Sequence, residues 1–175
     1  GYLLGFYIML LCMKIDARVA IFGAFAFAFS SYFIIILQAG HDTKAMAISF
    51  APPVIGAFYM AYRHNLKWGI LLSALFMGLE LLANHPQVTF YLGIVLAMLG
   101  ISELIIQARE KKLPRFLKVS VFLIIAYVFA AGVNYGKLSL TLDYAKHTIR
   151  GGNDITIQVD GTSNEDLSTS GLDKD

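Results

Sequence analysis

Glu80 is the residue whose chemistry most needs an explanation. It follows an apolar run that begins at Trp68, so it lies roughly 18 Å along a helix rising 1.5 Å per residue. That is past the midplane of a hydrocarbon core about 30 Å thick. A carboxylate at such a depth is costly unless it faces a polar cavity or a partner. Asn84 follows on the same helical face, and His85 and Gln87 flank Pro86. These four residues are expected to form a polar cluster opening at the helix end. A structural hydrogen-bond knot between helices meets the same constraints. A second group is Gln38-Ala39-Gly40-His41-Asp42-Thr43-Lys44. Gly40 permits a sharp turn, His41 and Asp42 are of the types that exchange protons with a substrate, and Lys44 can hold a phosphate as a point charge. The plainer reading is a polar loop with a helix starting at Asp42 or Thr43.

The elements that must position these residues are membrane helices. The chain is 57% hydrophobic and 15% charged, with a mean hydropathy of +0.64, whereas a soluble domain carries about 25% charged residues. The apolar residues concentrate before position 135 in runs long enough to cross a bilayer. Six are marked: Tyr2–Met13, Arg18–Leu37, Ala45–Tyr62, Trp68–Ala83, Val88–Ile106 and Phe116–Val133. The expected architecture is all-α and integral to the membrane, with about five to six transmembrane helices over 1–134, the first truncated. A polar, partly disordered tail over 135–175 follows. Short alternating strands of a β-barrel are not seen. Pro52-Pro53 should kink the third run, as a packing kink or a functional hinge. The chain opens inside an apolar run with neither Met nor a basic leader, so it reads as an internal piece of something longer.

Charge orients the runs. Lys14 and Arg18, Arg63 and Lys67, then Arg109, Lys111, Lys112, Arg115 and Lys118 fall in alternate loops, and the loops near 38–44 and 84–87 hold only Lys44. The positive-inside bias makes the loops near 14–18, 63–67 and 107–118 cytoplasmic. The loops near 38–44 and 84–87 and the tail are then extracytoplasmic, so Glu80, Asn84, His85, Gln87, His41, Asp42 and Lys44 share one side. The loop 107–118 is most simply a topology signal in contact with anionic lipid. Glu103 and Gln107 read as interfacial beside it. Small residues in the second run, among them Ala20, Gly23 and Ala24, suit close helix packing.

Other signals are weaker. Ile155, Ile157 and Val159 alternate with polar residues before Asp160-Gly161, which suggests a short strand and turn. Arg150-Gly151-Gly152 could hold an anion. Cys12 is the only cysteine, so an internal disulfide is excluded. The four histidines lack metal-site spacing. Phosphate-loop, dinucleotide and hydrolase-elbow motifs are missing, basic stripes with interleaved aromatics that would bind nucleic acid are absent, and no residue pattern names a cofactor.

Gly40-His41-Asp42-Thr43-Lys44, then Ala51-Pro52-Pro53, then Leu79-Glu80-Leu81-Leu82-Ala83-Asn84-His85-Pro86-Gln87-Val88-Thr89-Phe90-Tyr91 resemble the YfhO-like family of bacterial membrane proteins. Thr148-Ile149-Arg150-Gly151-Gly152 and Gly171-Leu172-Asp173-Lys174-Asp175 add to the resemblance. It implies a GT-C-type glycosyltransferase in the bacterial cytoplasmic membrane. Such an enzyme passes a sugar from a polyprenyl-phosphate carrier to a cell-envelope glycan acceptor on the extracytoplasmic face. A catalytic carboxylate in the first such loop of the family would precede Gly1. Within this chain, Asp42 and Glu80 are the candidate catalytic carboxylates. His41, Lys44, Asn84, His85 and Gln87 are the candidate substrate-binding groups, with Lys44 and His85 on the carrier phosphate. The competing readings are a transporter or flippase of a lipid-linked or small polar substrate, and a non-catalytic membrane scaffold. A transporter should show a polar path from both sides, whereas the polar residues within these runs are expected to gather outward.

Overall fold

Long apolar stretches leave the backbone only itself to bond to, and the chain answers with helices throughout. The computed structural model describes residues 1–146. The expected strand at Ile155–Val159, the turn at Asp160-Gly161, the Arg150-Gly151-Gly152 anion reading and the disorder expected of the tail's remainder lie outside the described residues. The elements are α1 (Tyr2–Cys12), α2 (Ala17–Ala28), α3 (Ser31–Gln38), α4 (Asp42–Arg63), α5 (Leu66–Leu82), α6 (Pro86–Arg109), α7 (Leu113–Val133) and α8 (Tyr135–Lys146).

Local chemistry sets the ends. The Asp16 carboxylate accepts from Arg18 N at 2.9 Å to start α2, and Asn65 Oδ1 accepts from Trp68 N at 3.2 Å to start α5. Four helices stop on a left-handed residue: Lys14, Gly40, Asn84 and Lys111, with φ of 61°, 72°, 55° and 56°. Backbone amides just past these ends fold back onto the last carbonyls, as Lys112 N does to Gln107 O at 2.8 Å. Pro86 and Pro114 stand in the first turns of α6 and α7, where no amide is needed.

The all-α architecture expected from the sequence is present. Among the described residues three helices are long and apolar enough to cross a membrane, α4, α6 and α7. A fourth is added if α2 and α3, bent by 49° at their junction, count as one broken span. That is fewer than the five to six expected. The reason is length: α1 has 11 residues and α5 has 17, against about 20 for a full crossing.

α4 is the axis. It packs against α1, α3, α5, α6 and α7, and 61% of its most apolar stretch is buried, against 11% for α6 and 22% for α7. α6 and α7 turn large apolar side chains outward, including Met98, Val128 and Phe129. Without water to drive burial, helices in lipid associate through close packing, and two glycines make it possible. A Cβ on Gly56 would lie 2.6 Å from the Cα of Met9 in α1. A Cβ on Gly69 would overlap the Ala61 backbone of α4.

α4 runs as one helix through Pro52 and Pro53, both buried. Pro53 lacks the amide that would bond the Ser49 carbonyl. Gly5 of α1 is packed directly on that carbonyl, where a side chain would overlap it. The residues through Ser139 form one compact unit, and those from Leu140 belong to a second.

Candidate functional site

α4, α5, α6 and α7 alternate in direction through short connections. The start of α4, the end of α5 and the start of α6 therefore share one end of the bundle, and this end carries the candidate catalytic and substrate-binding residues named from the sequence. Glu80 lies one turn from the end of α5 and is fully buried, with 0% exposure. Thr89, in the first turn of α6, is the one side chain that reaches it among the described residues. Thr89 Oγ1 is 3.0 and 3.2 Å from the two carboxylate oxygens and 3.3 Å from the His85 carbonyl. A hydroxyl has one proton to give, whereas a carboxylate has about four acceptor positions. Glu80 is therefore sparsely served for a group so completely removed from water.

His85 caps the start of α6 without a side-chain cap bond. Its Nδ1 is buried and has no hydrogen-bond partner among the described residues. A buried acceptor and a buried imidazole nitrogen, each short of partners, stand within one connection of each other. The arrangement suits a ligand that both donates and accepts hydrogen bonds.

Two expectations about this cluster change. Asn84 is not on the Glu80 face of a continuing helix, because α5 ends at Leu82 and Asn84 takes the left-handed turn that leads to Pro86. Asparagine tolerates that conformation. Gln87 is exposed, and its amide reaches the Tyr91 hydroxyl at 3.4 Å rather than Glu80. Thr89, which was not singled out, takes their place.

The second group stands at the start of α4. Gly40 adopts the left-handed turn its type suggested. His41 is the exposed cap residue, with no side-chain cap bond, and Asp42 opens the helix, where a carboxylate complements the positive end. Lys44 Nζ lies 5.6 Å from the centre of the Tyr32 ring, within cation–π range. Asp42 borders a cleft of about 530 Å³ that Ser49 and the buried Tyr2 also line. No hydrogen bond or ion pair joins Asp42, His41 or Lys44 to Glu80 or His85 among the described residues. Among these residues there is also no group of three or more histidine, cysteine or acidic side chains that could hold a metal ion.

The opposite end is more polar than the sequence suggested. Glu103, near the end of α6, is buried within the bundle, with 6% exposure. It accepts from Arg63 Nε at 2.7 Å and from Gln107 Nε2 at 3.4 Å. Arg115 donates to the Tyr62 carbonyl at 3.1 Å. In the neighbouring loop the Lys112 ammonium, 2.8 Å from Glu110, holds that carboxyl below the usual carboxylate range.

Between the two ends, α7 and its C-terminal cap residue present Ser120, Tyr127 and Asn134, one every second turn and so on one face. Ser120 bonds the Tyr62 hydroxyl at 2.7 Å, Tyr127 bonds the Ser73 hydroxyl at 2.7 Å, and Asn134 Nδ2 donates to the Gly78 carbonyl at 3.1 Å. Polar residues inside the helices thus do not gather at one end only, as expected. The signal was present in the sequence as that regular spacing within an apolar run. No family model, curated protein or solved structure matches the chain.

Proposed function

We propose that this chain is part of a membrane glycosyltransferase that moves a sugar from a polyprenyl-phosphate carrier to a cell-envelope acceptor on the extracytoplasmic face. The observation that carries the reading is Glu80, fully buried at the bundle end and bonded among the described residues only by the Thr89 hydroxyl, beside a His85 Nδ1 with no partner among those residues. The resemblance of the Glu80–Tyr91 stretch to YfhO-like proteins supports it. Attack of an acceptor hydroxyl on an anomeric carbon needs a group that takes a proton, and departure of a lipid phosphate needs donors or cations. Glu80 and Asp42 are of the first type. His85, His41 and Lys44 are of the second, all at the same bundle end. In this reading the basic loops are cytoplasmic, the Glu80 end faces outward, and the shorter helices α1 and α5 complete the five to six crossings with neighbouring segments.

The test is transfer from a labelled polyprenyl-phosphate sugar in membranes holding the protein, wild type beside Glu80→Gln and Asp42→Asn at matched expression. Transfer by wild type that falls in either variant supports the reading. Absence of transfer over a panel of donors and acceptors, with the protein shown to be folded, removes it.

A second reading, a transporter or flippase, gains from one observation. Polar pairs also lie between the Glu80 and Glu103 ends, Ser73 with Tyr127 and Tyr62 with Ser120, and a one-sided enzyme does not need them. Flux of a lipid-linked sugar across vesicles, lost in Glu80→Gln without any transfer activity in wild type, would select it.

A further inference from the structure

Four oxygens crowd the junction of α5 and α6. Thr89 Oγ1 stands 3.0 and 3.2 Å from the two carboxylate oxygens of Glu80 and 3.3 Å from the His85 carbonyl. With the carboxyl ionised, the Thr89 hydroxyl brings the one proton of the group to a carboxylate with about four acceptor positions. The ion pairs among the described residues are Arg63–Glu103 and Lys112–Glu110, and neither involves Glu80. A carboxylate at 0% exposure without a counter-charge is costly. In a membrane bundle such a group marks the position of an ion or a substrate.

The surroundings favour a positive charge. α5 ends at Leu82, two residues after Glu80, and the negative end of its dipole falls on this turn. Helix C-termini and carbonyls at breaks inside membrane bundles coordinate cations in this way. Oxygens 3.0–3.3 Å apart, set at right angles about an ion, correspond to metal–oxygen distances of about 2.1–2.3 Å, between the ranges of Mg²⁺ and Ca²⁺. One carboxylate balances one positive charge, and a divalent ion would leave a net charge buried. We infer that the Glu80 carboxylate, the Thr89 hydroxyl and the His85 carbonyl hold one small monovalent cation, sodium by size. On binding, Thr89 Oγ1 offers a lone pair in place of its proton. The inference does not rest on the glycosyl-transfer reading, because holding an ion needs neither sugar nor carrier.

The protein is purified in mild detergent with choline chloride as the salt, at about pH 8, well above the ordinary carboxyl range. It is then dialysed to equilibrium against radiolabelled sodium. Wild type is expected to bind one ion per chain, displaced by unlabelled sodium and not by choline. Glu80→Gln is expected to lose the binding, and Thr89→Val to weaken it about tenfold, the scale of one lost ligand. Glu110→Gln, which removes an exposed carboxylate in the loop after α6, is expected to keep it. Thermal unfolding followed by circular dichroism is the second measurement. Sodium at ten times its dissociation constant should lower the unfolding constant of wild type about tenfold and leave that of Glu80→Gln unchanged. Absence of sodium binding by folded wild type, or undiminished binding by folded Glu80→Gln, overturns the assignment. Should Glu80→Gln not fold, unchanged sodium affinity in Thr89→Val overturns it. Stabilisation of wild type by acid but not by sodium also overturns it and makes a proton the occupant. Sodium bound without sugar transfer upholds this inference and counts against the transfer reading, and transfer without sodium binding does the reverse.

Discussion

Replacing Thr89 by valine removes one hydroxyl and keeps the shape. Among the described residues that hydroxyl is the one donor that reaches Glu80, at 3.0 and 3.2 Å, and the carboxylate has no exposure to bulk solvent. A hydrogen bond to a charged group contributes about 1.5–3 kcal/mol in soluble proteins. Interhelical bonds in membrane bundles average ~0.6 and reach ~1.7 kcal/mol, because the separated helices also find partners. Glu80 has lost that option almost completely, so Thr89→Val is expected near the upper end, about 1–2 kcal/mol. Thr89→Ser keeps the donor and should cost less than half as much. The assay is unfolding in mixed micelles titrated with sodium dodecyl sulfate, followed by circular dichroism. Glu80→Gln and the double variant complete a cycle whose coupling should be about 1 kcal/mol. The same proteins are then compared in sugar transfer. Stability of Thr89→Val within ~0.3 kcal/mol of wild type, with zero coupling to Glu80, would refute the claim that this hydroxyl holds the carboxylate.

Other outcomes follow from the packing. Arg63→Ala strands a buried carboxylate, and breaking such pairs costs about 3–5 kcal/mol when fully buried. Arg63 keeps 29% of its side chain exposed, so about 2–3 kcal/mol is expected in the same unfolding assay, and Arg63→Ala with Glu103→Gln should lose less than Arg63→Ala alone. Gly69→Ala drives a methyl into the Ala61 backbone and is expected to destabilise by about 1–3 kcal/mol. Gly132→Ala, where nothing lies within 4 Å, should be neutral or stabilising by up to ~1 kcal/mol; equal effects at the two sites would contradict the close contact. Substituted cysteines Thr43→Cys and Lys111→Cys should react with an impermeant maleimide from opposite faces of intact vesicles, with Cys12 silent because it is buried. Labelling of both from one face would undo the proposed orientation.

The run boundaries were legible because hydrophobicity alone sets them. Val88–Ile106 became Pro86–Arg109, and Phe116–Val133 became Leu113–Val133. The break in the second run was not legible, since Phe29 and Ser30 carry neither proline nor glycine and the hydropathy stays high across them. Stops were hard to place for a related reason. Three of the four left-handed ends use lysine or asparagine, so the usual glycine mark was present only at Gly40. At the site, the cost of a carboxylate among apolar residues pointed to Glu80 directly. Its partner Thr89 was invisible because the contact crosses between two helices and depends on their relative rotation, which no periodicity within one helix encodes. The same applies to Arg63 and Glu103, whose opposite charges lie on separate helices at the same depth.

The three polar residues of α7 have a consequence for movement. Ser120, Tyr127 and Asn134 recur every second turn, and each is matched to a different point on α4 or α5. A slide of α7 by one turn, ~5.4 Å, would misalign all three at once and bring none of them to a neighbour's partner. The set acts like the teeth of a key, and only one insertion depth fits. Sliding of α7 against α4 and α5 is therefore closed off as a way for this bundle to change shape. Any motion it makes must carry the three helices together and take up the difference elsewhere, and the 49° joint between α2 and α3 lies outside that set.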